Sequence, residues 1–119
     1  PIADQIQYAV SWKIHDGQVD AFKSLAAEAT ALVEQNEPNM LGYQWYMNAD
    51  QTECTLIEQY PSAEHILVHL GNVGETLGKL LEIADISINV FGEIGDDARA
   101  ALDPLGAVYH SHVIGFSRY

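Results

Sequence analysis

Three observations predict a single α+β domain. Two segments carry helical periodicity, and each is flanked by segments in which apolar and polar residues alternate. The middle two alternating segments are joined by a short polar turn, as in a hairpin. The chain has 119 residues, of which 48% are apolar, enough for one hydrophobic core and little more.

The first strand is expected over residues 6–14. Ile6, Tyr8, Val10, Trp12 and Ile14 fall on one face, and Gln7, Ser11 and Lys13 on the other. His15-Asp16-Gly17 ends it. A helix follows from about Gln18 to Glu37, with Val19, Phe22, Leu25, Ala26, Ala29, Leu32 and Val33 spaced three and four apart. Asp16 is a candidate cap at its start, and the residue before Pro38 is its natural stop.

Leu41 to Ala49 alternates again, with Leu41, Tyr43, Trp45 and Met47 on one face. Asn48-Ala49-Asp50-Gln51 reads as a turn, and Glu53 to Tyr60 returns as the second arm of the hairpin. Pro61-Ser62-Ala63-Glu64 opens a second helix, with Ser62 as the expected N-cap. Its stripe is Ala63, Ile66, Leu67, Leu70, Val73, Leu77, Leu80 and Leu81. Gly71, Gly74 and Gly78 weaken it and predict a break or kink near Gly71. A fourth strand is expected over 85–94, a short helix over 96–102 before Asp103-Pro104, and a last strand from about Ala107 to Phe116.

The resulting order, β-α-β-β-α-β with a C-terminal short helix and an extra strand, is the ferredoxin-like pattern in one domain spanning 1–119. Two helices cover only one face of such a sheet. Gln7, Ala9, Ser11, Tyr46 and Ile57 on the other face are too apolar in places to sit well in water. Pairing two sheets face to face buries them, so a homodimer is expected.

Composition narrows the function classes. The chain carries 17 acidic and 5 basic residues, a formal charge of −12. The dispersed Lys13, Lys23, Lys79, Arg99 and Arg118 offer no basic patch, which disfavours nucleic acid and anionic membranes as partners. No apolar run is long enough to span a bilayer, and no leader-like segment is evident, so a cytoplasmic protein is expected. Cys54, the only cysteine, has no intrachain disulfide partner and excludes Cys-based zinc sites.

The residues able to carry chemistry are the histidines, a strand carboxylate and the aromatics. His65 and His69 lie one helical turn apart, and His110 and His112 share one face of a strand. Glu58 lies on the strand leading into the helix of the first pair. Helical histidine pairs are more often solvated than ligating. Ile66-Leu67-Val68 between them excludes HExxH, so no metal is expected. His69 sits about 80° from the centre of the apolar stripe and can reach the gap between helix and sheet, whereas His65 lies farther round. The expected catalytic set is therefore His69, then His65, with Glu58. Trp12, Tyr43, Trp45, Tyr109, His110 and His112 are expected to line a substrate pocket, although aromatics at strand spacing are more often plain core. No nucleotide, flavin or haem motif is present, and no cofactor is expected.

The element order, with the passage Leu56-Ile57-Glu58-Gln59-Tyr60-Pro61-Ser62-Ala63-Glu64-His65-Ile66-Leu67-Val68-His69-Leu70, resembles the antibiotic biosynthesis monooxygenase family. In that family a strand bearing a Glu and an aromatic runs into a Ser-capped helix, with a histidine about seven residues past the Ser; His69 matches it. The resemblance covers roughly residues 5–94. It implies a dimeric α+β barrel and a cofactor-independent monooxygenase acting on an aromatic polyketide or quinol-type small molecule. A base such as His69 would deprotonate a phenol, making it electron-rich enough to reduce O₂. Haem-degrading relatives place a Trp on this helix and an Asn on the first strand. Here His69 stands on the helix and the first strand has no Asn, so haem degradation is not implied. Two other readings compete. One is a non-catalytic barrel that binds a small apolar ligand. The other is a tautomerase using Pro1 as a secondary-amine base, in the manner that Pro1-Ile2-Ala3 resembles.

Overall fold

The computed structural model describes residues 5–118; a base at Pro1 lies outside them. Its order is β1 (Ile6–Ile14), α1 (Val19–Asn36), β2 (Gly42–Met47), β3 (Glu53–Tyr60), α2 (His65–Ile83), β4 (Ala84–Phe91), α3 (Gly95–Leu102), a 3-10 turn (Asp103–Leu105) and β5 (Val108–His110). The sheet runs β2-β3-β1-β4-β5. Its first four strands are antiparallel in the ferredoxin-like arrangement, and β5 adds to the β4 edge in parallel.

Alternation along β1 becomes burial. Ile6, Tyr8, Val10 and Trp12 face the helices and are almost completely enclosed. They meet Cys54, Leu56 and Tyr60 of β3, and Ile88 and Val90 of β4. From α1, Phe22 drops into the middle of this layer, edge-on to Trp12 and to Trp45, with ring centroids 6.0 and 5.8 Å away. Such tilted pairs add about 0.5–1.5 kcal/mol beyond the area they bury.

The helices differ from the sequence expectation at their ends and along α2. Neither Asp16 nor Ser62 caps a backbone. The N-cap of α1 is Gln18 and that of α2 is Glu64, neither with a side-chain cap bond, and Ser62 Oγ instead bonds His65 Nδ1 at 3.1 Å. The expected break at Gly71 is absent: α2 is continuous from His65 to Ile83. Gly71, Gly74 and Gly78 have open space where a Cβ would point, and the turns between them are tied down on the inside by Val73, Thr76 and Leu80. Packing of the inner face overrides the propensity cost of the outer one. Leu67 and Leu81, expected in the stripe, lie on its exposed flank.

The last strand is also shorter than expected. It stops at His110 instead of reaching Phe116, and Val113, Ile114 and Phe116 are exposed. Beyond β4 the chain turns at Gly92, where φ is +115° and an added Cβ would sit 2.8 Å from Ile6 Cδ1 and 3.3 Å from the Gln5 carbonyl. Only glycine takes that turn without strain, and its N–H then donates to the His110 carbonyl and fixes β5 in place.

The face of the sheet away from the helices carries Gln7, Ala9, Ser11, Thr55, Ile57 and Gln59, partly or fully accessible, with Tyr46 and Phe91 exposed. No helix among the described residues is long and apolar enough to cross a membrane. Replacing Phe22 by Ala removes the ring on which Trp12 and Trp45 both lean. It is expected to lower unfolding free energy by about 3–5 kcal/mol in urea denaturation.

Candidate active site

Three elements bring ionisable groups together beneath the sheet. Glu37 follows the last turn of α1, where the chain is about to meet Pro38. Glu58 points inward from β3, in the same alternating row as Leu56 and Tyr60. His69 lies one turn into α2, on the side facing both. All three are buried, with 6%, 4% and 4% of their surface exposed. No carboxylate would be left so far from water without a partner, and here each has one.

His69 joins them with both ring nitrogens. Nδ1–H donates to the Glu37 carboxylate, 3.1 Å from Oε1 and 3.0 Å from Oε2, and Nε2 lies 3.1 Å from Glu58 Oε1. The Tyr60 hydroxyl donates to the same Glu58 oxygen at 2.6 Å, and Asn72 Nδ2 donates to Glu37 Oε2 at 3.3 Å. The Tyr43 and Tyr60 rings stand edge-on to the imidazole at 5.6 and 5.5 Å and hold it in plane.

Electrostatics follow from this layout. Burial alone disfavours the imidazolium, but hydrogen bonds and charge from Glu37 and Glu58 outweigh it and push the His69 pKa up to about 9. His69 is therefore held toward its cationic form at neutral pH by the two carboxyl groups that flank it. Burial, and next the Glu58 charge, drive the Tyr8 and Tyr43 hydroxyls well above the usual phenol range, so both stay protonated.

Glu58 and His69 form part of the wall of an enclosed cavity between the sheet and α2. Tyr8, Trp12, Tyr43 and Trp45 line it as well, and Leu70, Val73 and Leu77 form its helical side. Its volume is about 50 Å³, room for a few waters and not for a bicyclic ligand. Two polar atoms in its wall, Tyr8 Oη and Trp12 Nε1, are buried without a hydrogen-bond partner. Trp45 Nε1, by contrast, donates to Thr30 Oγ1 at 3.0 Å.

Of the residues singled out from sequence, Glu58, His69, Trp12, Tyr43 and Trp45 converge on this cavity. His65 does not; it is tied to Ser62 at the start of α2. Tyr109 lies outside it, its hydroxyl bonded to Asp103 and its ring under Arg99. His110 stacks on Phe91 and bonds Asn89 on the far face of the sheet, and with His112 it borders a separate shallow cavity of about 300 Å³. Sequence reasoning missed Glu37, which it took only as a helix stop. The available signal was a carboxylate at a helix C-terminus, where the macrodipole disfavours negative charge unless a cation waits nearby. No three His, Cys, Asp or Glu side chains among the described residues are placed to hold one metal ion.

A small α+β domain with a buried carboxylate–imidazolium–carboxylate relay against an apolar cavity is an arrangement for moving protons. Residues 8–74 match the family model described as antibiotic biosynthesis monooxygenase, and the chain belongs to that family. Among solved structures it is similar to MupZ from Pseudomonas fluorescens, at 24% identity over 97% of this chain and 95% of that one, with a TM-score of 0.84. It is also similar to SnoaB, a cofactor-independent oxygenase from Streptomyces nogalater, at 15% identity over 79% and 97% of the two chains, with a TM-score of 0.67. A conserved protein from Methanosarcina mazei Go1 shares 17% identity over 76% and 94%, with a TM-score of 0.69. At these identities the likeness is one of fold. No curated protein is a significant match to the chain.

The raised His69 pKa has a definite pH signature. The folded value of about 9 exceeds the ordinary 6.5, so the stability it contributes is complete below about pH 6.5 and is lost as pH rises toward 9. Imidazole signals followed by NMR are expected to titrate near pH 9, with a parallel fall in unfolding free energy over that window. Glu37→Gln removes one of the two charges and is expected to lower that midpoint by about one unit or more.

Proposed function

We propose that this protein is a monooxygenase that needs neither metal nor organic cofactor and acts on a small aromatic molecule of the polyketide or quinol type. The observation that carries the reading is the Glu37–His69–Glu58 relay buried against the cavity. Family membership supports it, and so does the fold shared with a cofactor-independent oxygenase.

In this scheme the substrate gives all four electrons that O₂ takes up: one oxygen atom enters the substrate, which leaves as a quinone or ketone, and the other leaves as water. Removing a phenolic or enolic proton raises the substrate's electron density enough for that step, and the protein supplies proton transfer and exclusion of water. Because His69 is held toward its cationic form, the group left to take the proton is the Glu58 carboxylate through Oε2, since Oε1 is occupied by His69 and Tyr60. Glu37 balances the charge from the other side. Tyr43, Trp45 and Trp12 supply flat apolar walls. The cavity must widen to admit an aromatic ring.

A second reading follows from the charge state of His69. A resting imidazolium is an acid, suited to protonating an oxygen of the substrate, and such a site performs acid–base chemistry without consuming O₂. Oxygen uptake separates the two readings.

The same proposal includes a homodimer in which the helix-free sheet faces of two chains meet. The exposed Tyr46 and Phe91 and the half-buried Ile57 on that face support this pairing. A cytoplasmic setting fits the single, buried, unpaired Cys54.

An oxygen-electrode assay over a panel of hydroquinones and polyketide phenols tests the activity. Wild type is expected to consume O₂ in proportion to product, and Glu58→Gln and His69→Gln each to cut turnover about 10²-fold or more. Product formed without oxygen uptake selects the acid–base reading. No turnover by wild type over the whole panel overturns the oxygenase.

A further inference from the structure

We infer that Tyr8 and Trp12 form a ligand subsite: two buried donors on β1 that take acceptor oxygens, carbonyl or ether, of a neutral, mostly apolar substrate held against Glu58 and His69. The inference rests on the proposed function and names the substrate chemistry of the same cavity.

Of all buried side-chain nitrogen and oxygen atoms among the described residues, Tyr8 Oη and Trp12 Nε1 are the two without a partner. A buried unpaired donor is destabilising, and folded proteins keep very few of them. Here both belong to one strand, both residues face the helices, and both line one cavity. Neither lacks a partner for want of rigidity. Tyr8 is 3% and Trp12 2% exposed, and each ring is locked against another aromatic, Tyr60 at 5.1 Å and Phe22 at 6.0 Å. Two fixed donors in one apolar wall lack only acceptors.

The charge of the wall selects the kind of acceptor. Two carboxyl groups, those of Glu37 and Glu58, flank the single imidazole of His69 in a buried place. The nearest ring nitrogens of His69 are both engaged, so no free cation is left to receive a carboxylate or phosphate. An anionic ligand would meet the carboxyl groups and a desolvation cost together, whereas a neutral carbonyl or ether oxygen can accept from the unpaired donors without burying a second charge. The other walls are Val10, Leu56, Leu70, Val73 and Ile88, which reward a hydrocarbon frame.

The test uses single-ring probes, for which the cavity needs the least widening: cyclohexanone, methylenecyclohexane (nearly the same shape without the acceptor) and cyclohexanecarboxylate. Binding is followed by the two indole N–H signals in ¹⁵N-edited NMR, assigned with Trp12→Phe. The ketone is expected to move the Trp12 indole signal in a way the alkene does not, and to leave the Trp45 signal, already bonded to Thr30, in place. The ketone-over-alkene preference is expected to drop about tenfold in Tyr8→Phe or Trp12→Phe, the loss of one hydrogen bond. The carboxylate is expected not to bind. Should Trp12→Phe fail to fold, Tyr8→Phe stands by itself. It deletes an unpaired buried hydroxyl and is expected to melt no lower than wild type, which a structural tyrosine would not allow.

A ketone that perturbs neither signal and binds no better than in the variants overturns the subsite, as does carboxylate binding that matches the ketone. His69 titration in the same samples keeps the two ideas apart. A normal His69 midpoint counts against the relay whatever the probes do. A midpoint near 9 with no ketone preference removes the subsite and leaves the relay standing.

Discussion

The burial of a charged imidazole between two carboxylates is the constraint on which the architecture depends. Each group alone would be expelled to water or neutralised, and together they are stable only while α1, β3 and α2 hold them within about 3 Å. Tyr60 and Asn72 occupy further lone pairs of the carboxylates, so the cluster is closed by hydrogen bonds and not by charge alone. Breaking any link strands a charge in a dry place, and this fixes the three elements more sharply than apolar contact could. Hydrophobic packing brings the faces together, and the ionic cluster ties α1, β3 and α2 at one point.

Most of the fold was legible in the sequence because its signals are local. Period-two alternation along 6–14 and 53–60 marked strands whose inward rows are the rows observed, and the stretch before Pro38 ended its helix where the backbone requires. The failures have a common cause. The Gly71 break, the Ser62 cap and the long last strand were inferred from propensity; tertiary contacts or their absence decided the first and the last, and a local bond to His65 took the Ser62 hydroxyl. Val73 and Leu80 hold α2 together across its glycines. Past His110 no neighbouring strand is left for residues 111–118 to pair with.

The site was half legible for the same reason. His69 and Glu58 could be placed because each lies on a periodic element at a position that geometry assigns to the interior. Glu37 could not, since its role depends on how α1 ends relative to α2, a long-range fact. His110 and His112 do not share a strand: β5 ends at His110, whose side chain looks away from the cavity at the sheet's edge, and His112 falls beyond it. The acidic excess is similarly clarified. Most carboxylates stay outside as a solvating coat, while Glu37 and Glu58 are withdrawn from it and matched to one histidine.

The glycines on the outer surface of α2 carry a consequence for how the cavity behaves. Against alanine, three helical glycines cost about 3 kcal/mol in intrinsic preference, so this helix would not persist by itself in water. Its order is lent by what lies beneath it, including the side chains that wall the cavity. Filling that space and keeping the helix wound are thus linked: a guest that packs against the inner face of α2 adds to the same contacts that hold the helix together.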